Sequence, residues 1–309
     1  MKKISVGIIG SSRERHSLYL FEELTKQGAH AVLLDTAPDQ PYPLSYDESR
    51  CHYDRCDLSG TDVFFLRALF LPTPAFEISR DVEKEGHIAY VAERERYAAW
   101  LSWLMSSPYQ GRYIVNPVDT LLIHFAKPYQ LERLRAAGIP VPKTLVTSDP
   151  EMVLDFSRDR AVVYKPVAGG ALCRFLTEED KLPERLEALS NAPVQFQEYI
   201  EGDDLRVFVL GKKVIASFLI KSESIDYRDG THHVEPYELS PEVATLCIQA
   251  CKALGLIFSG VDLKLRSDGS AVCIECNPSP MFEGFDRVAP NPIVSQLAAF
   301  LIEKAIQHR

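Results

Sequence analysis

The sequence predicts an α/β protein whose first third contains a parallel sheet, followed by units of mixed helix and antiparallel sheet. In the first third, apolar segments of strand length alternate with segments of helical periodicity up to Asn116-Pro117. Further along, apolar runs are joined by glycine-containing turns, which are typical of hairpins. The length of 309 residues exceeds what one hydrophobic core usually supports. We therefore expect two or three packed units.

The predicted elements of the first unit are two strands, a longer apolar run and two helices. Gly28 ends the first helix, and the segments are 3–9, 16–27, 31–34, 62–70 and 93–105. The first strand leads into Gly10, Ser11 and Ser12, an outline shared with dinucleotide sites. The GxGxxG spacing of such sites is absent. The pattern therefore favours a plain strand-turn-helix in a substrate-binding domain.

The second and third units have clear helix signals. One helix spans 128–137, with Pro128 in its first turn and Gly138 after its end. A strand over 161–165 follows, and then the strands 194–200, 205–210 and 213–220, of which the last two are joined through Gly211. Ser240 as N-cap, Pro241 in the first turn and Gly255 past the end define another helix.

Composition and charge narrow the classes of partner. The formal net charge is −9, whereas nucleic-acid binding normally requires a basic surface, so we expect no nucleic-acid partner. No stretch approaches the ~20 apolar residues that span a bilayer, and the N-terminal segment lacks the features of a signal peptide. We expect a cytoplasmic protein without a membrane partner; a homo-oligomer remains open.

The number and spacing of the seven cysteines do not indicate a disulfide framework. Cys273 and Cys276 resemble a CxxC pair, but on a strand this spacing directs the side chains to opposite faces, which excludes a shared metal. Cys247 and Cys251 lie one helical turn apart and are expected in a core. Reduced structural cysteines are the interpretation that we adopt.

A hairpin near the C terminus places two carboxylates together. Its strands are 260–266 and 271–277, and Asp268-Gly269 between them is a strong hairpin signal. With Asp268 and Gly269 as a two-residue loop, Asp262 faces Glu275. The same register pairs Leu263 with Ile274 and Leu265 with Val272 on the apolar face. Asn277 shares the face of Glu275 because it lies two residues further along.

Directly opposed acidic residues have Cβ atoms roughly 5 Å apart, so their carboxylates repel each other unless something compensates their charge. A hard divalent cation does so, and carboxylate and amide oxygens suit Mg²⁺ that bridges phosphates. The sequence therefore predicts a metal site formed by Asp262, Glu275 and Asn277. The competing interpretation is two exposed acids on a solvated sheet face.

The segment GVDLKL…CIECNPSP, with these three residues, resembles the terminal metal-binding motif of the ATP-grasp superfamily, and NPSP followed by Glu283-Gly284 is similar to its RimK-type branch. The resemblance implies an ATP-grasp fold, with α+β lobes behind an N-terminal Rossmann-like domain. It implies a pre-ATP-grasp, substrate-binding domain over 1–116, a first lobe with the phosphate-covering loop over 117–193, and a second lobe with the metal site over 194–309.

The resemblance also assigns nucleotide contacts. Lys127, ahead of a helix, and Lys165, at the end of a strand, match the two lysines that contact the phosphates. Gly169 and Gly170 fall in the phosphate-covering loop, which is shorter and poorer in glycine than is usual for the family. An ordinary solvated role remains the alternative for each lysine.

Further positions match the adenine, ribose and phosphate contacts of the family. Glu198, Tyr199 and Ile200 resemble the strand that pairs with adenine. Asp204 matches the acid near the ribose, for which Asp203 or Glu201 could substitute. Arg228 matches an arginine near the phosphates or the acyl phosphate, with a surface salt bridge as its alternative. In the first unit, Arg67 is either a substrate-carboxylate contact or a salt-bridged strand-end arginine.

The implied activity is ATP-dependent ligation of a carboxylate to an amine through an acyl phosphate. ATP and Mg²⁺ are the implied cofactors, with two ions expected and Mn²⁺ as an alternative metal. The substrate is a small-molecule amino acid or a peptide. The segments SDPEMVLDF…VVYKP and SIDYR also resemble graspetide macrocyclases of the microviridin type, which crosslink a precursor peptide. A non-catalytic ATP-binding regulator and, more distantly, an NAD-dependent dehydrogenase are the alternatives from other classes.

Overall fold

A computed structural model of the chain describes residues 3–36, 43–47, 50–67, 78–167, 172–222, 224–225 and 229–308. The chain divides into two compact units. Unit 1 comprises residues 1–118, 281–286 and 291–309, and unit 2 comprises residues 119–280 and 287–290. The predicted boundaries after residues 116 and 193 stay a prediction.

Unit 1 contains a parallel sheet in the strand order β2-β1-β6-β7. Between β2 and β6 the chain forms a small antiparallel sheet, β3-β4-β5. In chain order the elements are β1 (Ser5–Gly10), α1 (Arg15–Lys26), β2 (His30–Asp35), β3 (Leu44–Tyr46), β4 (Cys51–Tyr53), β5 (Cys56–Asp57), β6 (Val63–Leu66), α2 (Ile78–Ser106) and β7 (Tyr113–Val115). The prediction of a parallel α/β unit is confirmed, whereas the sequence analysis did not anticipate β3, β4, β5 and β7.

The glycine-containing turn after β1 is built by packing and local hydrogen bonds. Gly7 lies against the ring of Phe64, which an added Cβ would meet at 2.2 Å. Glu14 is the N-cap of α1, and its carboxylate accepts a hydrogen bond from the backbone of Ser17 at 2.9 Å. A carboxylate therefore already lies at the helix N-terminus, where a dinucleotide site would hold phosphate.

Unit 2 contains two sheets, a four-stranded one in the order β10-β9-β11-β8 and a five-stranded one in the order β14-β13-β12-β15-β16. Its elements are α3 (Leu121–Phe125), α4 (Lys127–Ala136), β8 (Thr144–Thr147), α5 (Pro150–Phe156), β9 (Val162–Pro166), β10 (Arg174–Phe175), α6 (Pro183–Leu186), β11 (Val194–Glu198), β12 (Asp203–Leu210), β13 (Lys213–Ser222), β14 (His232–Pro236), α7 (Pro241–Leu254), β15 (Phe258–Leu265) and β16 (Ala271–Asn277).

Helix α7 packs against one face of the five-stranded sheet, whereas the opposite face carries charged residues as well as buried aromatic ones such as Phe208 and Phe218. Its predicted ends are confirmed: Ser240 accepts a hydrogen bond from the backbone of Val243, and Gly255 adopts φ 74° after the last turn. Leu205, Val207 and Val261 are fully or almost fully buried in this core.

The C-terminal helices return to unit 1. They are α8 (Glu283–Asp286) and α9 (Ile293–Gln307), and α9 packs against α1, β1 and β6. Both carboxylate oxygens of Asp286 accept from the first turn of α9, at 2.6 Å from Ile293 N and 3.1 Å from Val294 N. Among the described residues, no helix combines the length and apolarity that crossing a bilayer requires.

Candidate active site

The hairpin formed by β15 and β16 deviates from its predicted geometry in two places. Its loop has three residues, Ser267 to Gly269, closed by a hydrogen bond from the amide of Arg266 to the carbonyl of Ser270 at 2.8 Å. Gly269 adopts φ 82°, which fits a turn that ends in a left-handed residue. A β-bulge follows, so that Ile274 has no partner residue in the register with β15.

The longer loop and the bulge shift the register in opposite directions, and the two shifts cancel at the pair of Asp262 and Glu275. The third loop residue shifts the pairing by one, so that Leu263 pairs with Cys273 and Leu265 with Ala271. The predicted pairings of Leu263 with Ile274 and Leu265 with Val272, and the two-residue loop, are therefore wrong. The bulge shifts the register back, and Asp262 pairs with Glu275 as predicted.

The bulge also corrects the prediction for the cysteines. Because one extra residue interrupts the alternation, Cys273 and Cys276 lie on the same face, with their Sγ atoms 3.9 Å apart. Both are buried in the core with Cys247 and Cys251, where the sequence places the latter two. Within the described ranges, no group of three or more histidine, cysteine or acidic side chains is arranged to hold a metal. The predicted metal set, in contrast, combines two carboxylates with one amide.

A row of charged side chains lies on the face of the five-stranded sheet that is opposite to α7. Arg206 on β12 lies opposite Asp262 on β15, with Nε 3.0 Å from Oδ1. Two residues earlier, Asp204 pairs with Lys264, with 2.8 Å between Oδ1 and Nζ. The sequence analysis missed Arg206. The alternation of Asp204 and Arg206 along a strand could have revealed it, since both then share one face.

Lys127 reaches this row from the first residue of α4. Its Nζ donates to Oε2 of Glu275 at 2.5 Å, and both side chains are largely buried. Burial acts to raise the pKa of Glu275, but the charge and hydrogen bond of Lys127, together with the charges of Lys165 and Arg206, lower that pKa below its ordinary value. Glu275 is therefore held as a carboxylate beside a cation.

Asp262 is in the opposite electrostatic situation. Burial raises its pKa to about 6; the charge of Arg206 opposes that rise, whereas the charges of Glu275 and Asp204 add to it. The ionised form of Asp262 is thus under-compensated in this environment. An additional cation near Asp262 and Glu275 would relieve that imbalance.

Asn277 has its backbone and side chain fixed by two hydrogen bonds. Its carbonyl oxygen accepts from Ser259 Oγ at 3.0 Å, and its Oδ1 accepts from the backbone N–H of Ser279 at 2.9 Å. Gly260 is its partner on β15, one residue before Val261 and two before Asp262. The amide and the two carboxylates are therefore neighbours on one hairpin.

Lys165 interacts electrostatically with Glu275, Lys127 and Asp262. Its side chain is partly buried, and burial lowers its pKa, while the charge of Glu275 acts to raise that pKa and the charge of Lys127 to lower it. His124, in α3, interacts electrostatically with the same Glu275 and Lys127, and burial lowers its pKa too. Strands β9 and β12 and helices α3 and α4 of unit 2 thus place ionisable side chains near Glu275 and Asp262.

The predicted adenine strand lies at the end of β11. Glu198 accepts a hydrogen bond from the backbone N–H of Lys143 at 2.9 Å, and the amide of Tyr199 donates to the carbonyl of Ala161 at 2.8 Å. The ring of Tyr199 packs on Phe175 with 4.9 Å between centroids, and Ile200 is buried. The role of this strand in binding adenine stays a prediction.

Three predicted site residues, Gly169, Gly170 and Arg228, lie outside the described residues. In unit 1, Arg67 is buried and forms an ion pair with Glu14, with 2.9 Å between Nη2 and Oε1. The interpretation of Arg67 as a salt-bridged strand-end arginine is therefore the one that the contacts support.

Comparison with known proteins assigns the family. Residues 126–301 match the RimK-like ATP-grasp domain, which is more than half of the chain. A probable alpha-L-glutamate ligase 1 of Shewanella denitrificans is 31% identical over 63% of this chain and 70% of its own length. Macrocyclase MdnC from Microcystis aeruginosa, bound with precursor peptide MdnA, is 21% identical with a TM-score of 0.77, which shows a shared fold.

The solved structure of an ATP-grasp ligase is similar in both sequence and fold along nearly the whole chain. ATP-grasp ligase PsnB, complexed with a phosphomimetic variant of a minimal precursor, Mg and ADP, superposes with a TM-score of 0.86. It is 32% identical, and the match covers 97% of this chain and 98% of PsnB. The chain belongs to the RimK-like ATP-grasp family and is an ATP-dependent ligase.

Proposed function

We propose that this ligase activates a peptide carboxylate with ATP and joins it to a nucleophile of the same or another peptide. The observation that carries this proposal is the charged row on unit 2, where Asp262 and Glu275 oppose each other beside Lys127, Lys165 and Arg206. Such a set suits a phosphoryl transfer, in which catalysis consists mainly of positioning and charge neutralisation.

Asp262, Glu275 and Asn277 would hold Mg²⁺, because two carboxylates and an amide on adjacent strands offer the hard oxygen ligands that this ion prefers. The under-compensated charge of Asp262 is the feature that fits a cation here. Bound there, Mg²⁺ neutralises phosphate charge. We propose two ions, with Mn²⁺ as a substitute, and ATP held by Glu198, Tyr199, Ile200 and Asp204 together with the glycines Gly169 and Gly170.

The side chains of the cluster would act on the phosphates. Lys127, now paired with Glu275, would turn to the transferring phosphate once Glu275 has another cation, and Lys165 would contact the phosphates from β9. The substrate carboxylate attacks the γ-phosphorus, the bond to ADP breaks, and an acyl phosphate forms. A nucleophile then attacks the acyl carbon and releases phosphate together with its own proton. Arg228 would neutralise charge on the acyl phosphate.

The extent of similarity favours a peptide substrate. PsnB, a structure of which contains a precursor, matches this chain over both units at 32% identity. The probable alpha-L-glutamate ligases match either 63% of the chain at 31% identity, as in Shewanella denitrificans, or 99% of it at 26% identity, as in Vibrio cholerae. Over the whole chain, including the first unit that would select the substrate, the higher identity is thus to the protein whose structure contains a precursor. The bond formed would be an ester or amide between side chains of the peptide.

Ligation of a free amino acid is the second candidate, because the curated relatives in this family carry the name alpha-L-glutamate ligase. In that case the acid is a small molecule or a terminal carboxylate, the nucleophile is an amine, and a carbon–nitrogen bond forms.

An ADP-release screen with mass spectrometry of the product separates these candidates. We expect ADP with peptides that contain acidic and hydroxyl or amine side chains, and a product mass reduced by one water per crosslink. A mass increase by one amino-acid residue would favour the second candidate. ADP release from none of the acids, amines and peptides would indicate a non-catalytic ATP-binding protein.

Glu275→Gln provides the matched test of the site. The substitution nearly conserves volume but removes a charged ligand, so we expect turnover to fall about 100-fold while the fold is retained. Glu132→Gln on the exposed face of α4 is the control and should leave turnover unchanged. Normal turnover of Glu275→Gln would show that the metal assignment is wrong.

A further inference from the structure

The outer edge of β16 is closed by side-chain and loop contacts instead of a further strand. β16 is the end strand of the five-stranded sheet. On its outer side, the amide of Cys273 donates to the carbonyl of Pro140 at 2.8 Å. Past the bulge, the side chain of Gln130 takes over: its Oε1 accepts from Cys276 N at 2.8 Å, and its Nε2 donates to Cys276 O at 3.0 Å.

Gln130 thereby imitates one residue of a neighbouring strand. The amide group of glutamine has one donor and one acceptor in the geometry of a peptide bond, so it can satisfy both backbone groups of a single residue. Gln130 is 2% exposed and Cys276 is fully buried, so neither partner can exchange this contact for water. A buried backbone group without a partner is costly, and both contacts therefore constrain β16 strongly.

The two edge contacts flank the bulge at Ile274. If the pairing at the loop end of the hairpin continued without a bulge, Asp262 would face Ile274, and Glu275 would turn to the apolar face. Pro140 fixes the strand before the bulge and Gln130 fixes it after the bulge. The position of the bulge is what brings Glu275 and Asn277 to the same face as Asp262.

Gln130 also belongs to the helix that carries Lys127. Residues three apart lie on one face of a helix, so Lys127 and Gln130 contact β16 together, Lys127 through Glu275 and Gln130 through the next residue. We infer that Gln130 is a positioning residue that fixes the register of β16 past its bulge and holds α4 to it. This inference rests on the proposed function, since it makes the placement of Glu275 and Asn277 depend on Gln130.

The test measures how ATP binding depends on Mg²⁺. Gln130→Met conserves length and removes both hydrogen bonds to Cys276. Residues that orient metal ligands typically change metal affinity 10- to 100-fold when substituted, so we expect about a 10-fold rise in the Mg²⁺ concentration for half-maximal ATP binding. Calorimetric titrations of ATP into the full chain at several Mg²⁺ concentrations give this value.

Leu134→Val is the matched control, because Leu134 is a fully buried residue of the same helix one turn further along. It should lower the unfolding temperature yet leave the Mg²⁺ dependence unchanged. An equal shift of the Mg²⁺ dependence in Leu134→Val, or no shift in Gln130→Met, would overturn the positioning role. If Gln130→Met does not fold, Gln130→Asn, whose amide is one methylene too short for both bonds, should show about a 3-fold rise; no rise there would also overturn it.

Failure of the proposed function has a different signature. If the unsubstituted chain binds ATP without any dependence on Mg²⁺, the metal site itself is wrong, and with it the inference on Gln130. If the unsubstituted chain shows the dependence and the Gln130 variants keep it unaltered, only the role of Gln130 is wrong.

Discussion

At the scale of single residues, the two carboxylates of the candidate site differ in how well neighbouring cations compensate their charge. Glu275 has Lys127 as an immediate partner, and its pKa is lowered; Asp262 has Arg206, yet its pKa is raised because burial and the neighbouring carboxylates outweigh that arginine. Lys165 is partly buried and burial lowers its pKa, so an anion that approaches it would stabilise its charged form. We therefore propose that the cluster binds a cation at Asp262 and Glu275 and a phosphate at Lys165.

Lys165→Ala tests the phosphate role of that lysine. Removing the cation should weaken ATP binding about 10-fold, equivalent to about 1.4 kcal/mol, with little loss of thermal stability, since a buried charge costs desolvation. Calorimetry with ATP and Mg²⁺ measures the affinity. Lys212→Ala, in the exposed turn between β12 and β13, is the control. An affinity for ATP that is unchanged in Lys165→Ala would contradict the role.

The ion pair of Glu14 and Arg67 gives a prediction about pH. Burial acts to raise the pKa of Glu14, but the hydrogen bond and charge of Arg67 and the amide of Ser17 together lower it below the usual 4.5. A lowered pKa means that the pair contributes stability above pH 4.5 and loses this contribution as the pH falls through the folded-state value.

Glu14→Gln should therefore destabilise unit 1 at pH 7 by about 2 kcal/mol, the order expected for a charged hydrogen bond that is lost in a buried site. The difference from the unsubstituted chain should shrink progressively below pH 4.5. Thermal unfolding monitored by circular dichroism from pH 3 to pH 8 measures it, with Glu22→Gln on the exposed face of α1 as the control. A difference that persists undiminished at pH 3 would argue against the ion pair as its origin.

At the scale of elements, local sequence signals predict the ends of a helix better than the register of a hairpin. The ends of α7 were predicted correctly because Ser240, Pro241 and Gly255 act on backbone groups within a few residues. Register is different, since the length of a loop and the position of a bulge depend on contacts from outside the hairpin. The pairing of Asp262 with Glu275 was predicted correctly although two of the assumed pairings were wrong. The errors in loop length and at the bulge cancel at this pair, and the edge contacts of Pro140 and Gln130, which we infer to fix the bulge, carry no local signal in β16.

The two glycines of this hairpin allow its site and its turn to be tested separately. A Cβ on Gly260 would lie 2.7 Å from Nη1 of Arg206 and 2.8 Å from Cβ of Pro280. Gly260→Ala should therefore displace Arg206 from Asp262 and lower the affinity for ATP with Mg²⁺ about 10-fold. On Gly269 a Cβ meets no atom within 4 Å, but φ is 82°.

Gly269→Ala should consequently cost about 1–2 kcal/mol of stability, the penalty of a left-handed conformation for a residue with a side chain, and leave the affinity for ATP unchanged. Calorimetry and thermal unfolding of both variants measure the two effects. Equal affinities for ATP in the two variants would contradict the link between Gly260, Arg206 and the metal site.

At the scale of the whole molecule, the class of fold and the site hairpin followed from the sequence, but the assembly of the units did not. The sequence analysis assigned no element to the segment that forms α9. This helix is amphipathic, and the carboxylate of Asp286 accepts hydrogen bonds from the amides of its first turn. Its place in unit 1, against α1 and β1, requires contacts between residues almost 300 positions apart. Periodicity identifies elements, whereas the partner of an apolar face is decided by the tertiary structure.

The glycine turn after β1 has the outline of an NAD site, whereas the charged row on unit 2 suits ATP. Thermal unfolding in the presence of each nucleotide decides between them. A ligand that binds only the folded state stabilises it by about 2.7 kcal/mol at 100 times its dissociation constant. For a unit of this size, that corresponds to a rise of about 5–10 °C in unfolding temperature. We expect this rise with ATP and Mg²⁺ together, a smaller one with ATP alone, and none with NAD, because Glu14 places a carboxylate at the start of α1 where pyrophosphate would need to bind. Stabilisation by NAD and not by ATP would instead support a dehydrogenase built on unit 1, and it would make the charged row on unit 2 an ordinary set of structural ion pairs.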